Sequence, residues 1–162
     1  MSANLYNYIS GLLARNRLAT AEGFTLRRVS GLAGLEEVVA DVATSNIVAV
    51  DMTTDGNIHE SRGGGFFAKR VHTVFILKRW KYPDMESLDN ALKSCRRLMN
   101  QMISEMLTSR RAGRGEMTYL NESSIVWREM SPDISTHLTG LYFMLEFDEP
   151  TDITYSDDDW SD

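Results

Sequence analysis

The sequence predicts an α+β fold: an antiparallel sheet of about four to five strands, a long amphipathic helix packed on it, N-terminal helices and an extended acidic arm. Three observations carry this expectation. Met85, Leu88, Leu92, Cys95, Met99, Met102, Ile103 and Met106 recur at three- and four-residue steps, the stripe of a long helix. Phe66 to Trp80 is a run with apolar residues at both parities, Val71, Thr73, Phe75 and Leu77 against Val74 and Ile76, as in a strand buried on two faces. His137 to Phe147 alternates, and its Leu141, Phe143, Leu145 and Phe147 parity is wholly apolar, fit to pack on the long helix.

The remaining elements follow in order. From Ala3 to about Arg17, Leu5, Tyr8, Ile9, Leu12 and Leu13 form an amphipathic stripe, weakened at Gly11. A second helix is predicted from Leu32 to Thr44, with Ser30 as its N-cap, Leu35, Val38, Val39 and Val42 on one face, and Glu36 and Glu37 toward the positive end of its dipole. Asn46 to Thr54 is β-branched and ends at the turn dipeptide Asp55-Gly56, so it reads as a strand. Pro83-Asp84 starts the long helix, whose other face carries Lys93, Arg96, Arg97 and Gln101. The basic, glycine-broken segment Ser109 to Gly115 ends it as a mobile loop. Strands are predicted at Glu116 to Leu120 and Ser124 to Met130, split by the turn formers Asn121-Glu122-Ser123, and Ser131-Pro132-Asp133 breaks the chain again. Residues 1–148 then form one domain and residues 149–162 an arm.

Composition bounds the function. The 162 residues are 43% hydrophobic and 25% charged, ordinary for one folded domain. No apolar run approaches the roughly 20 residues that cross a bilayer, and the start lacks the pattern of a secretory signal, so the expectation is cytoplasmic synthesis with no membrane partner. Cys95 is the only cysteine, which excludes an intrachain disulfide. All 17 Lys and Arg lie between Met1 and Arg128, whereas Glu129 to Asp162 holds ten acids and no Lys or Arg.

The glycines at Arg62-Gly63-Gly64-Gly65 invite a phosphate-loop reading. That loop needs G-x-x-x-x-G-K-[ST] between a strand and a helix, because backbone amides and the helix N-terminus hold the phosphates. Here Ala68 replaces the second glycine, Arg70 replaces the hydroxyl, and a strand follows. The stretch from Asp55 to Gly65 is instead expected to be a flexible hairpin loop, long enough to touch a partner. His59, His72 and His137 lack metal-site spacing, and Cys95 lies on an apolar helix face with nothing to lower its pKa, so no catalytic, cofactor or metal residues are assigned. Arg110, Arg111 and Arg114 make one short basic cluster, able to meet an acidic segment or phosphates. Asp157, Asp158 and Asp159 lack the alternation and glycine of a calcium loop. They read either as a solvated tail or, with Tyr155 and Trp160 interleaved, as a segment that docks on a basic surface through aromatic anchors.

The arrangement of Val71 to Trp80, Met85 to Met106 and the Gly140 to Phe147 run Gly-Leu-Tyr-Phe-Met-Leu-Glu-Phe resembles the tail-terminator and tail-completion family of tailed bacteriophages. The resemblance covers roughly Asn46 to Phe147. It implies a non-enzymatic virion protein, made in the host cytoplasm, that forms an oligomeric ring at the head–tail junction or tail. The implied partners are other copies, other neck or tail proteins, and DNA contacted non-specifically in the lumen. A monomeric acidic module that inhibits a host factor is a second reading, and a small enzyme with a nonstandard site is a third.

Overall fold

The computed structural model of the chain describes residues 2–41, 45–130 and 137–160. The architecture is α+β: a six-stranded, mostly antiparallel sheet with helices on both faces. The N-terminal stripe forms α1 (Ser2–Arg15) with Leu5, Ile9, Leu12 and Leu13 buried. The helix stops two residues before the predicted Arg17, because Asn16 starts a new one. Its side-chain oxygen accepts from the Ala19 amide at 2.8 Å and caps α2 (Arg17–Ala21).

The strand β1 (Phe24–Val29) is absent from the elements the sequence predicts; it pairs parallel with β2 (Asn46–Asp51) across the connecting helix α3 (Gly31–Asp41). The sheet is therefore not wholly antiparallel. Leu35 is buried in α3 and Val38 and Val39 pack beside it, while Val42 and the predicted end of this helix lie outside the described residues, as does Ser131-Pro132-Asp133. At the start of α3 the Ser30 carbonyl accepts from the Gly34 amide, and Asp51 of β2 accepts from the Gly31 amide at 3.1 Å.

The expected loop from Asp55 is half strand. Asp55 to Glu60 forms β3, which pairs with the first half of β4 (Phe66–Arg79), while β2 pairs with its second half. Gly56 does not make a turn: a Cβ there would collide with the Lys69 carbonyl across the ladder. β2 and β3 thus run along one edge of β4, separated by residues 52–54, where Thr53 donates to Asp51 through both its amide, at 2.9 Å, and its hydroxyl, at 2.7 Å. The other edge of β4 pairs over its whole length with β6 (Leu138–Thr151), from Arg79↔Leu138 to Phe66↔Thr151. β6 in turn pairs with β5 (Val126–Met130). Gly140 allows the closest approach in this ladder, since a Cβ on it would overlap the Ile76 carbonyl.

The long helix α4 (Met85–Arg111) begins where Asp84 accepts from the Glu86 and Ser87 amides at 3.0 and 3.2 Å. Its Cys95, Leu98, Met99, Met102 and Met106 pack with Leu141, Phe143, Leu145 and Phe147 of β6, as the alternation predicts, and with Val74 and Ile76 of β4 and the α1 stripe. Met85, placed on that stripe by spacing, is exposed, and Leu98 is core. The opposite face of the sheet buries Phe75, Leu77 and Leu138 under Leu35.

The helix also runs through Ser109, Arg110 and Arg111, which the sequence pattern predicts to lie in a loop. Ser109 is buried and accepts from the Tyr8 hydroxyl at 3.1 Å. The expected strand at Glu116 to Leu120 is a 3₁₀ helix, Gly115–Tyr119. Met117 and Leu120 are both buried, a spacing of three that a 3₁₀ turn places on one side, and Leu120 alone makes a bridge, to Phe147.

Candidate interaction surface

The Asp55 to Gly65 loop contracts to a tight turn at Ser61 to Gly65. The Ser61 amide donates to the Gly65 carbonyl, and the Ser61 hydroxyl to the Gly64 carbonyl at 2.8 Å. Gly64 and Gly65 have φ of 81° and 86°, backbone that residues with a Cβ rarely adopt, which accounts for two of the three glycines. Arg62 and the glycines are exposed at the tip, with their amides in a hairpin between two strands and no helix behind them.

The arm begins beside this tip. β6 stays in the sheet through Pro150 and Thr151, opposite Phe67 and Phe66, so the segment leaving the body starts at Asp152 rather than Glu149. Beyond it Ile153, Tyr155 and Trp160 are all exposed. The Tyr155 and Trp160 rings stack on each other, centroids 6.2 Å apart and planes inclined by 16°, around a 3₁₀ turn formed by Asp157, Asp158 and Asp159. The Asp152 carboxyl accepts hydrogen bonds from Thr154, which hold it below the usual carboxylate range. The arm is an acidic chain with paired aromatics and no packing on the core.

The basic cluster is divided. Arg110 Nε donates to the Leu120 carbonyl at 2.6 Å and its guanidinium lies 3.5 Å from Glu122, so this arginine ties the 3₁₀ segment to the helix. Arg111 and Arg114 remain exposed. The structure therefore brings the Arg62 to Gly65 turn to the root of the arm, and leaves Arg111 and Arg114 at the end of α4.

Three groups carry unusual chemistry but no open site. Burial pushes the Cys95 thiol up to about 12, a side chain without thiolate reactivity. His72 is fully buried against the edge of Phe147, with neither ring nitrogen hydrogen-bonded. Lys78 donates to Glu22 at 2.8 Å and to Ser94 at 2.9 Å, and Ser94 donates to Glu22 at 2.9 Å, a closed triangle that joins α2, β4 and α4. Among the described residues, no three His, Cys, Asp or Glu side chains are grouped to hold a metal ion, and no helix is long and apolar enough to cross a membrane. An open groove of about 590 Å³ follows the polar face of α4, but its Lys93 is already held by Asp89 and its Arg96 by Glu129.

The sheet edges are the part sequence reasoning missed. Among the described residues β1, β3 and β5 each pair on one side only, leaving a row of backbone donors and acceptors on the other. β1 carries exposed Arg27 and Arg28, the latter 4.1 Å over the Tyr6 ring. The signal was present in Phe24-Thr25-Leu26-Arg27-Arg28-Val29, bounded by Gly23 and Gly31 at φ of 68° and 66°. Compared with models of known protein families and with curated proteins, the chain matches none.

Proposed function

We propose that this chain is a non-enzymatic structural subunit of a phage virion, made in the host cytoplasm, which assembles into a ring at the head–tail junction or tail. The observation that carries the reading is the arm: an acidic segment with Ile153, Tyr155 and Trp160 exposed, projecting from a body whose sheet has open edges. Apolar side chains held out on a charged extension gain free energy only when a neighbour covers them. A contact between unlike surfaces repeats head to tail and closes into a ring when the rotation allows. The Arg62 to Gly65 turn beside the arm root would then face an adjoining ring or the lumen, where Arg111 and Arg114 are suited to the phosphates of passing DNA.

Light scattering on the full chain across a concentration series, at low and high salt, tests the reading. The expected result is a hexamer or dodecamer that high salt weakens. A monomer under every condition overturns it. The Tyr155–Trp160 stack also favours a second reading, a monomeric acidic module that inhibits a host factor. In that case deleting residues 152–162 abolishes capture of the host protein and leaves this chain monomeric.

A further inference from the structure

We infer that the arm of one copy adds as a strand to the open edge of β1 in the next copy, with its aspartates against Arg27 and Arg28. This rests on the self-assembly in the proposed function and specifies the contact.

Backbone comes first. The arm continues β6, a fourteen-residue strand, and its backbone is still extended at Ser156, where φ is −127° and ψ is 126°. Ile153 and Tyr155 have the same parity as Leu141, Phe143, Leu145 and Phe147, the core side of β6, while Asp152 and Thr154 have the outer parity. A segment with that alternation is suited to join a sheet edge with its apolar row on the side that α1 covers.

Charge then selects the edge. From residue 148 to residue 160 there are six acids and no Lys or Arg. The β3 edge carries Asp55 and Glu60, and would repel the arm. The β5 edge carries Arg128 beside Glu129. β1 carries Arg27 and Arg28 and no acid, and the first 29 residues hold four arginines against Glu22 alone. Neither Arg27 nor Arg28 meets a carboxylate among the described residues; Arg27 donates only to the Leu26 carbonyl beside it, at 3.3 Å.

The apolar side also matches. Phe24 and Leu26 of β1 are half-buried and pack toward the core beneath α1. A strand laid along this edge continues their row with Ile153 and Tyr155, in place of the stack that Tyr155 now makes with Trp160. The basic edge and the arm lie on different parts of the fold, since β1 is one end of the strand order and the arm leaves from the tip of the β3–β4 hairpin. The contact is therefore between unlike surfaces, and it repeats.

The test uses a fluorescent peptide of residues 148–160 and the chain truncated after Thr151. None of residues 152–160 belongs to the core or the sheet, so the truncated body keeps every described strand and core residue. Fluorescence anisotropy is expected to show binding that R27E/R28E weakens by about tenfold or more, that R111E/R114E leaves unchanged, and that a peptide with the three aspartates of the 3₁₀ turn changed to lysine recovers on the R27E/R28E body. No binding, or binding insensitive to R27E/R28E, overturns the inference. Light scattering on the full chain separates this from the proposed function. Oligomers that persist in R27E/R28E sink the β1 contact and leave the ring reading standing. Oligomers that grow with concentration without closing, and that R27E/R28E dissolves, sink the ring and leave the contact standing; a monomeric full chain overturns both.

Discussion

The two ends of β4 behave differently. Along β4, Val74 and Ile76 are fully buried between α4 and the sheet's neighbours, and Phe75 and Leu77 lie under α3. At its other end Phe66 is 40% exposed, and its partner strand β3 is exposed at nearly every position, with Ile58 at 57%. Hydrogen-bonded pairing is continuous from one end to the other, so pairing cannot be what distinguishes them. What differs is helix cover. The covered half gains the free energy of burying large apolar side chains; the projecting half keeps its geometry through backbone rungs and edge contacts such as His59 with Asp148. One half holds the fold, and the other is free to be a surface.

Substitutions sharpen the contrast. In the covered half, Phe143→Ala empties a fully buried site and is expected to cost about 3–5 kcal/mol, read as a lowered urea midpoint. Gly140→Ala is expected to cost about 3 kcal/mol, because the clash is with the Ile76 backbone, which has no rotamer to change. A loss below about 1 kcal/mol would mean that β6 and β4 separate here without penalty.

His72 lies at the junction of the two halves. Burial, with the charge of Arg70 adding to it, lowers its pKa from 6.5 to about 4. The folded ring stays neutral where the unfolded ring takes up a proton. Its contribution to stability is thus complete above about pH 6.5 and declines as the pH falls toward about 4, by something on the order of 3 kcal/mol. His72→Leu is expected to flatten that slope, and denaturation midpoints across the range check it. An unchanged slope would assign the acid sensitivity to carboxylates instead.

The smallest effects belong to the projecting half. Phe66→Ser and Ile58→Ser, and truncation after Thr151, are each expected to move stability by less than about 0.5 kcal/mol. A drop in melting temperature comparable to that of Phe143→Ala would show that the projecting half is core after all.

What the sequence revealed follows the same division. α4, β4 and β6 are long, and their periodicity declares both element and face. Asp84 declares the start of α4 because its carboxylate has two amides to receive. β3 was hidden: Asp-Gly-Asn-Ile-His-Glu has turn formers where strand formers are usual, and only the ladder with β4 makes it a strand. β1 is obscured because six residues with two adjacent arginines do not alternate cleanly. At Glu116 to Leu120 the β-favouring Thr and Tyr conceal a spacing of three. For the interaction surface, the arm and the glycine turn could be read from composition. That Arg110 is spent on the Leu120 carbonyl, and that Arg27 and Arg28 line an open edge, depends on contacts that no local pattern encodes.

The full-length pairing of β6 with β4 has a mechanical consequence. Tension on the arm pulls β6 along its own axis, while the rungs that hold it lie across that axis. All fourteen paired positions therefore resist in shear at once, instead of opening one by one as in a zipper. A partner that seizes the arm pulls on a cable spliced through the middle of the sheet. Under force, the weak point of such a joint is the grip on the arm, and the body that carries it stays folded.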